Sequence, residues 1–194
     1  YSDEKVSTFW RSQITWNYPR FQKLLNLKKR YYNASITRLY YGTLDLERTK
    51  YLFNKIREIW KDRRVLIIEG EKSRFGIGND LLRNTITVER ILGPYHNAFQ
   101  KHNEIIKEAM KQDRDKLILV AMGPAAKAIT YDLALAGFQA IDIGNLDIEY
   151  EWFLRGVKER IAIPGKYNSE AKGGSVVQDL SDSLYETQNV ARHL

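Results

Sequence analysis

Apolar positions change their spacing near residue 64, and that change divides the chain. Before it they recur at helical intervals. Ser7 and Thr8 precede an apolar set at Phe9, Trp10, Ile14 and Trp16. Pro19 is expected to open a further stretch carrying Phe21, Leu24 and Leu25, ahead of the basic run Lys28, Lys29 and Arg30. Residues 34–41 lean toward β structure through Ile36, Leu39, Tyr40 and Tyr41. Leu52, Ile56, Ile59 and Trp60 then fall at i, i+4, i+7 and i+8, the apolar stripe of an amphipathic helix.

Beyond residue 64 the apolar residues run together, as they do in strands buried on both faces. Residues 65–68 form the first such run and end in Glu69-Gly70-Glu71. Residues 86–92 give a second, stopped by Gly93-Pro94; residues 117–122 and 140–143 give the third and fourth. Helices separate them. Asn97 is placed to cap one whose stripe runs Phe99, His102, Ile106 and Met110. Gly123-Pro124 turns the chain into another, with Pro124 suited to a first helical position and Gly137 to a stop. Strands alternating with helices predict an α/β fold: a Rossmann-like parallel sheet with helices on both faces, preceded by a helical segment. The expected organisation is one domain, with that segment at 1–33, the core at 34–175 and a polar tail at 176–194. Lys172-Gly173-Gly174-Ser175 reads as linker-like.

Charge sharpens the division. The net charge is +7, yet residues 1–64 carry 15 Lys/Arg against 6 Asp/Glu, and the remainder carries 16 against 18. A basic N-terminal third suits a nucleotide diphosphate, an anionic membrane surface or a nucleic acid equally, and also an ordinary solvated helix face. Its Lys and Arg residues are spread over several elements, and no helix-turn-helix or RNA-recognition pattern accompanies them, so a nucleic-acid module is the lesser reading. Without cysteine there is neither a disulfide nor a thiolate metal site. No apolar run is long enough to cross a bilayer and no leader pattern opens the chain, so a cytoplasmic location with at most peripheral membrane contact is expected.

In open parallel sheets, ligands bind beyond the carboxyl ends of the strands. Three such ends here carry polar groups. After the first strand, residues 69–80 supply Glu69, Glu71, Arg74, Gly76, Gly78, Asn79 and Asp80. Glycine amides and a helix expected to begin near Asp80 suit an anion, and Arg74 suits a phosphate or carboxylate. The run is neither a dinucleotide fingerprint, because Leu81 stands where the third glycine belongs, nor a P-loop. After the third strand, Gly123-Pro124 makes a tight turn fit to seat a base, ribose or phosphate. After the fourth, Asp147 and Glu149 alternate. In an extended segment their carboxylates share one face and suit a hard divalent cation such as Mn2+ or Mg2+. Asp45 and Glu47 repeat the same Asp-x-Glu spacing, but at a helix start, where capping and the helix dipole explain them. His96 and His102 read as packing or surface groups, and Tyr40, Tyr41 and Trp152 as aromatic surfaces on which a sugar can stack.

The segments Glu-Gly-Glu-x-Ser-Arg-x-Gly-x-Gly-Asn-Asp-Leu (69–81), Gly-Pro-x-Ala-x-x-x-x-Tyr-Asp-Leu-Ala (123–134) and Gln-Ala-Ile-Asp-Ile-Gly-x-Leu-Asp-Ile-Glu-Tyr-Glu-Trp-Phe (139–153) resemble the D-type glycosyltransferases. The resemblance spans about residues 34–194. It implies a metal-dependent enzyme that moves a sugar, commonly glucose from UDP-glucose, onto a glycan of a glycoprotein or surface polysaccharide. It implies that Asp147 and Glu149 hold Mn2+ or Mg2+ and that Glu69, Arg74, Gly76, Gly78, Asn79, Asp80, Gly123 and Pro124 contact the nucleotide sugar; separately, the aromatic N-terminal helices are expected to offer a surface for a homodimer or another partner. Glu71, Asp80 and Glu151 are the candidate general bases, with Glu71 placed among the catalytic residues. The Arg-x-Gly-Asp-Gly-Glu segment common in that family is not found, and Asn145 stands where its members commonly have His. Another Rossmann-like nucleotide-dependent transferase shares the fold without needing a sugar.

Overall fold

The computed structural model describes residues 4–41, 45–179 and 181–194. The chain forms two compact units, residues 1–34 and 35–194. In the first, α1 (Glu4–Leu24) runs unbroken through Pro19, where a new stretch was expected. Pro19 has no N–H for the carbonyl of Thr15. Nearby carbonyls gain side-chain donors instead: Ser12 Oγ bonds Phe9 O at 2.7 Å, and Thr15 Oγ1 bonds Arg11 O at 2.8 Å. Trp10, Trp16 and Phe21 are exposed.

The second unit is built on a sheet of β1 (Arg64–Gly70), β2 (Thr87–Gly93), β3 (Leu117–Ala121), β4 (Ala140–Asp142) and β5 (Asn189–Arg192). The strand order is β4-β3-β1-β2-β5, with every neighbouring pair parallel. β1 lies at the centre, with Ile67 opposite Arg90 of β2 and Leu119 of β3. Because side chains alternate along a strand, β1 feeds two cores. Val65 and Ile67 join Leu117 and Leu119 in a cluster with Phe53 of α2 (Leu46–Arg57), Trp60, and Tyr150 and Trp152 of α5 (Leu146–Arg155). Leu66 and Ile68 join Ile118 and Val120 against Ile105 of α3 (His102–Ala109) and Ile129 and Leu133 of α4 (Ala125–Leu135). Ile67 and Ile68 are both wholly buried, one on each face. Each contributes about 1.5–3 kcal/mol, which explains why the strand reads as an unbroken apolar run.

Local structure departs from expectation in several places. Residues 34–41 form turns, because the amides of Tyr40 and Tyr41 bond the Glu149 carboxylate and are not available to a ladder. No helix begins near Asp80. Asn79 Oδ1 accepts the Leu81 N–H at 3.0 Å, and successive turns follow. Asn97 sits at φ 51° and makes no capping bond, so the next helix opens with a 3-10 turn, residues 98–101. In α3 the buried face is Ile105 and Ala109, with Phe99 and Met110 exposed. Asp45 does cap α2, accepting the Arg48 N–H at 3.0 Å. Residues 176–194 are no tail: α6 (Ser183–Thr187) and β5 complete the sheet beside β2.

Candidate functional site

A cleft of about 400 Å³ opens at the carboxyl ends of β1, β2 and β3. Gly70 ends β1 at its floor, residues 94–99 form the wall after β2, and residues 121–125 form the wall after β3. Asn145 and residues 167–169 complete the lining. The predicted Gly123 and Pro124 are both on this wall. Gly123 takes φ 53°, and a Cβ there would meet nothing within 4 Å, so its backbone faces open space. The amino end of α4 follows directly and carries no side-chain cap, leaving the positive end of an eleven-residue helix on the cleft wall. A smaller recess of about 30 Å³ shares Ser73, Ala121, Asn145 and Tyr167 with the cleft, and Asp147 lines it.

Asp147 and Glu149 lie in the first turn of α5, not in an extended segment, so their side chains diverge instead of sharing a face. The motif occurs at a helix start, as Asp45-x-Glu47 does, and the macrodipole favours acidic residues there. Asp147 is 2% exposed. Its Oδ1 accepts the Gly76 N–H at 2.9 Å and Asn79 Nδ2 at 2.8 Å, and its Oδ2 accepts Lys166 Nζ at 2.6 Å. The residue that shares its helix face is Glu151, one turn on. Glu151 accepts Asn79 Nδ2 at 2.7 Å, and its Oε1 lies 3.2 Å from Lys166 Nζ. Burial pushes the Glu151 carboxyl up, but Lys166, Asn79 and Arg155 outweigh it and hold the group below its usual range.

Glu149, wholly buried, serves a different segment. Its Oε2 accepts the N–H groups of Tyr40 at 3.0 Å and Tyr41 at 2.7 Å, and its Oε1 lies 3.5 Å from Arg38 Nη1. Each carboxylate of the Asp-x-Glu pair thus has its own protein cation on a different side of α5. Among the described residues no three His, Asp or Glu side chains are grouped to hold a metal ion. The pair does not fit a shared ion; Asp147 alone lies at the cleft end of the arrangement.

The other predicted residues separate into three places. Glu69 is fully buried and does not line the cleft. Its Oε2 accepts the Phe75 N–H at 2.7 Å, and its Oε1 pairs with Arg90, whose Nη2 also bonds Phe75 O at 2.9 Å. Burial pushes the Glu69 carboxyl up, and the Arg90 charge opposes that. Arg74 reaches back to Gly165 O and Gln178 O, tying loops together instead of facing a phosphate in the cleft. Glu71 lines a separate recess with Lys72, Arg74 and Arg192. Asp80 and exposed Gly78 lie on the outer loop, where Asp80 accepts Tyr150 Oη at 2.6 Å and faces Arg57 at 3.3 Å. The Tyr150 hydroxyl holds the Asp80 carboxyl below its usual range. Gly76, Asn79 and Asp147 are therefore brought together, Gly123 and Pro124 line the cleft, and the three base candidates do not line it.

Residues not anticipated for the site occupy the cleft instead. Tyr95, His96 and Tyr167 form a ring cluster with centroid separations of 4.3 to 5.5 Å, so His96 is the exposed packing group expected of it and also lines the cleft. Asn145 Nδ2 bonds Glu170 Oε1 at 2.7 Å. Buried Asn168 completes the wall. The position of Tyr95 and His96 just past β2 was the available signal, because strand ends in such sheets carry the ligand. The 167–169 loop offered none.

Residues 1–171 match the family described as Glycosyltransferase GT-D fold, a match that begins well before residue 34. The chain is 34% identical over 186 residues to Glycosyltransferase GlyD of Streptococcus pneumoniae serotype 4, covering 96% of this chain and 23% of that protein. It is 34% identical over 187 residues to the probable glycosyl transferase Gly of Streptococcus gordonii, covering 96% and 27%. The chain thus spans about a quarter of the length of the curated relatives it matches. Two solved structures are similar along nearly all of it. One, of domain of unknown function 1792 with a distinct glycosyltransferase fold, has TM-score 0.86 and 32% identity over 98% of this chain and 69% of that one. The other, a glycosyltransferase with the same domain from Streptococcus sanguinis, has TM-score 0.85 and 30% identity over 99% and 72%.

Proposed function

The chain belongs to the GT-D-fold glycosyltransferases, and on that premise we propose that it transfers a hexose from a nucleotide-sugar donor, UDP-glucose, to a glycan carried by a surface glycoprotein or polysaccharide. The observation that carries this reading is the cleft beyond β1–β3, where the open backbone of Gly123 and the uncapped start of α4 adjoin a recess lined by Asp147. Backbone N–H groups and the helix dipole at that wall suit the diphosphate of the donor. The turn needs no lysine or arginine to do this, and none lines the cleft among the described residues.

The donor's leaving group gains negative charge as the glycosidic bond breaks. A divalent cation, Mn2+ or Mg2+, bound with Asp147 as its protein carboxylate, would supply neutralisation of that charge. Asp147 is positioned by Gly76, Asn79 and Lys166, and Lys166 would have to release Oδ2 to the ion. Glu149 acts at one remove: its carboxylate fixes the 38–41 segment against α5. Lys166 keeps Asp147 and Glu151 together, which anchors the chain immediately before the cleft-lining residues 167–169.

The test is donor hydrolysis across UDP-, GDP- and dTDP-sugars, with and without Mn2+, wild type beside Asp147→Asn. Release of one nucleotide by the wild type, lost in the variant, is the expected result. No turnover combined with no calorimetric binding of any nucleotide, with or without Mn2+, overturns the reading.

A further inference from the structure

One ammonium serves two carboxylates beside the cleft. Lys166 Nζ donates to Asp147 Oδ2 at 2.6 Å and lies 3.2 Å from Glu151 Oε1. All three residues are buried, and among the described residues Lys166 is the only cation within 4 Å of Asp147. Asn79 bridges the same pair through one nitrogen, 2.8 Å from Asp147 Oδ1 and 2.7 Å from Glu151 Oε1. Asp147 therefore has both oxygens engaged, Oδ1 by the Gly76 and Asn79 amides and Oδ2 by the ammonium.

A divalent ion on Asp147 and this ammonium need the same oxygen, because Oδ1 is already held by two donors. Two cations brought to one carboxylate oxygen repel each other at short range. The backbone around Lys166 is fixed: its own N–H bonds Ile163 O at 3.1 Å, and the Tyr167 N–H bonds Lys72 O at 2.7 Å. Its side chain is flexible, and the ammonium already faces a second acceptor. That acceptor, Glu151, lies one helical turn along α5, and Arg155 takes only its other oxygen, Oε2, at 3.1 Å. We infer that Lys166 and Glu151 are positioning residues for the ion at Asp147, with Glu151 receiving the ammonium that the ion displaces. The buried charge then stays paired while Asp147 Oδ2 changes partner. The adjoining wall at residues 167–169 keeps its place.

The inference rests on the reading of Asp147 as the metal-binding carboxylate, and its test separates the two. Mn2+ binding to the whole 194-residue chain in the presence of UDP is measured by calorimetry for wild type, Lys166→Met, Glu151→Gln and the double variant. Lys166→Met removes the competitor and is expected to bind Mn2+ at least about tenfold more tightly. Glu151→Gln denies the displaced ammonium its second seat and is expected to weaken Mn2+ binding by about tenfold. Measured against Lys166→Met, the double variant should lose only about twofold or less, because no ammonium remains to be seated. A loss there as large as in Glu151→Gln alone makes Glu151 a direct ligand and overturns the inference. Unchanged Mn2+ affinity in either single variant also overturns it, while sparing the metal reading. A merely structural role would lower the melting temperature without moving that affinity. Lys166→Gln takes the place of Lys166→Met should the latter not fold. Absence of Mn2+ binding by the wild type removes both readings.

Discussion

Asp147 and Glu149 stand two residues apart on α5 and fasten different stretches of chain. The first takes the amide donors of Gly76 and Asn79, the second the amides of Tyr40 and Tyr41. A motif of two acidic residues therefore does two jobs, and substitutions divide them. Glu149→Gln puts an amide where two N–H groups need an acceptor and is expected to cost about 2–3 kcal/mol in urea unfolding. Mn2+ affinity in the presence of UDP should be unchanged in that variant and should fall at least about tenfold in Asp147→Asn, as read by calorimetry. Equal loss of Mn2+ affinity in both variants would show that the pair does share an ion.

Lys166 is buried with its ammonium against both Asp147 and Glu151. Removing one member of a buried ionic set leaves the rest uncompensated, so Lys166→Met is expected to lose about 3–5 kcal/mol of stability. Adding Asp147→Asn should cost much less than the sum of the two single changes, because the groups interact directly. Chemical denaturation of the four proteins in that cycle measures the coupling, and strict additivity would refute it.

Alkaline pH tests the outer loop. Burial, reinforced by the bond to Asp80, pushes the Tyr150 hydroxyl from its ordinary 10 up to about 12. A tyrosine whose folded pKa exceeds its unfolded value stabilises the fold fully below the unfolded value. That contribution then disappears between pH 10 and 12. Tyr150→Phe should flatten this part of the stability profile and cost about 0.5–1.5 kcal/mol near neutrality. Unfolding at a series of pH values, with phenolate absorbance as a second readout, checks both.

Arg90→Met isolates the Glu69 carboxylate in the core. Burial already raises this group, and without the opposing guanidinium it should hold its proton well above the usual 4.5. The unfolded chain ionises first, so stability is greatest below that value and falls as pH rises toward the folded pKa. The expected slope is about 1.4 kcal/mol per pH unit across that window, which reaches to higher pH in Arg90→Met than in the wild type. A flat profile in Arg90→Met would mean that Glu69 finds another cation.

The sheet was legible because strands buried on both faces spell themselves out: residues 65–68 and 117–122 have no polar interruption to misread. The active end was less so. Asp147, Ile148, Glu149 and Tyr150 alternate like a strand, but β4 is only three residues long and the helix starts at Leu146. The informative spacing was Asp147 to Glu151, four apart on one helical face. β5 escaped notice because four residues with alternating exposure carry little periodic signal. Arg74 and Glu69 looked like ligand contacts because charge near a glycine loop invites that reading. Their partners, Gly165 and Arg90, lie 91 and 21 residues away, and nothing local announces them.

The place of β5 also sets a timetable for the ribosome. β1, β2 and β3 are all made by residue 121, but the outer side of β2 acquires its partner only once residues 189–192 have emerged. Nearly a hundred residues separate the end of β2 from that event, an interval on the order of ten seconds at ordinary translation speeds. Through it, the nascent sheet offers an open row of amides and carbonyls to any passing strand. The last four-residue strand is thus what turns a sticky intermediate into a finished sheet.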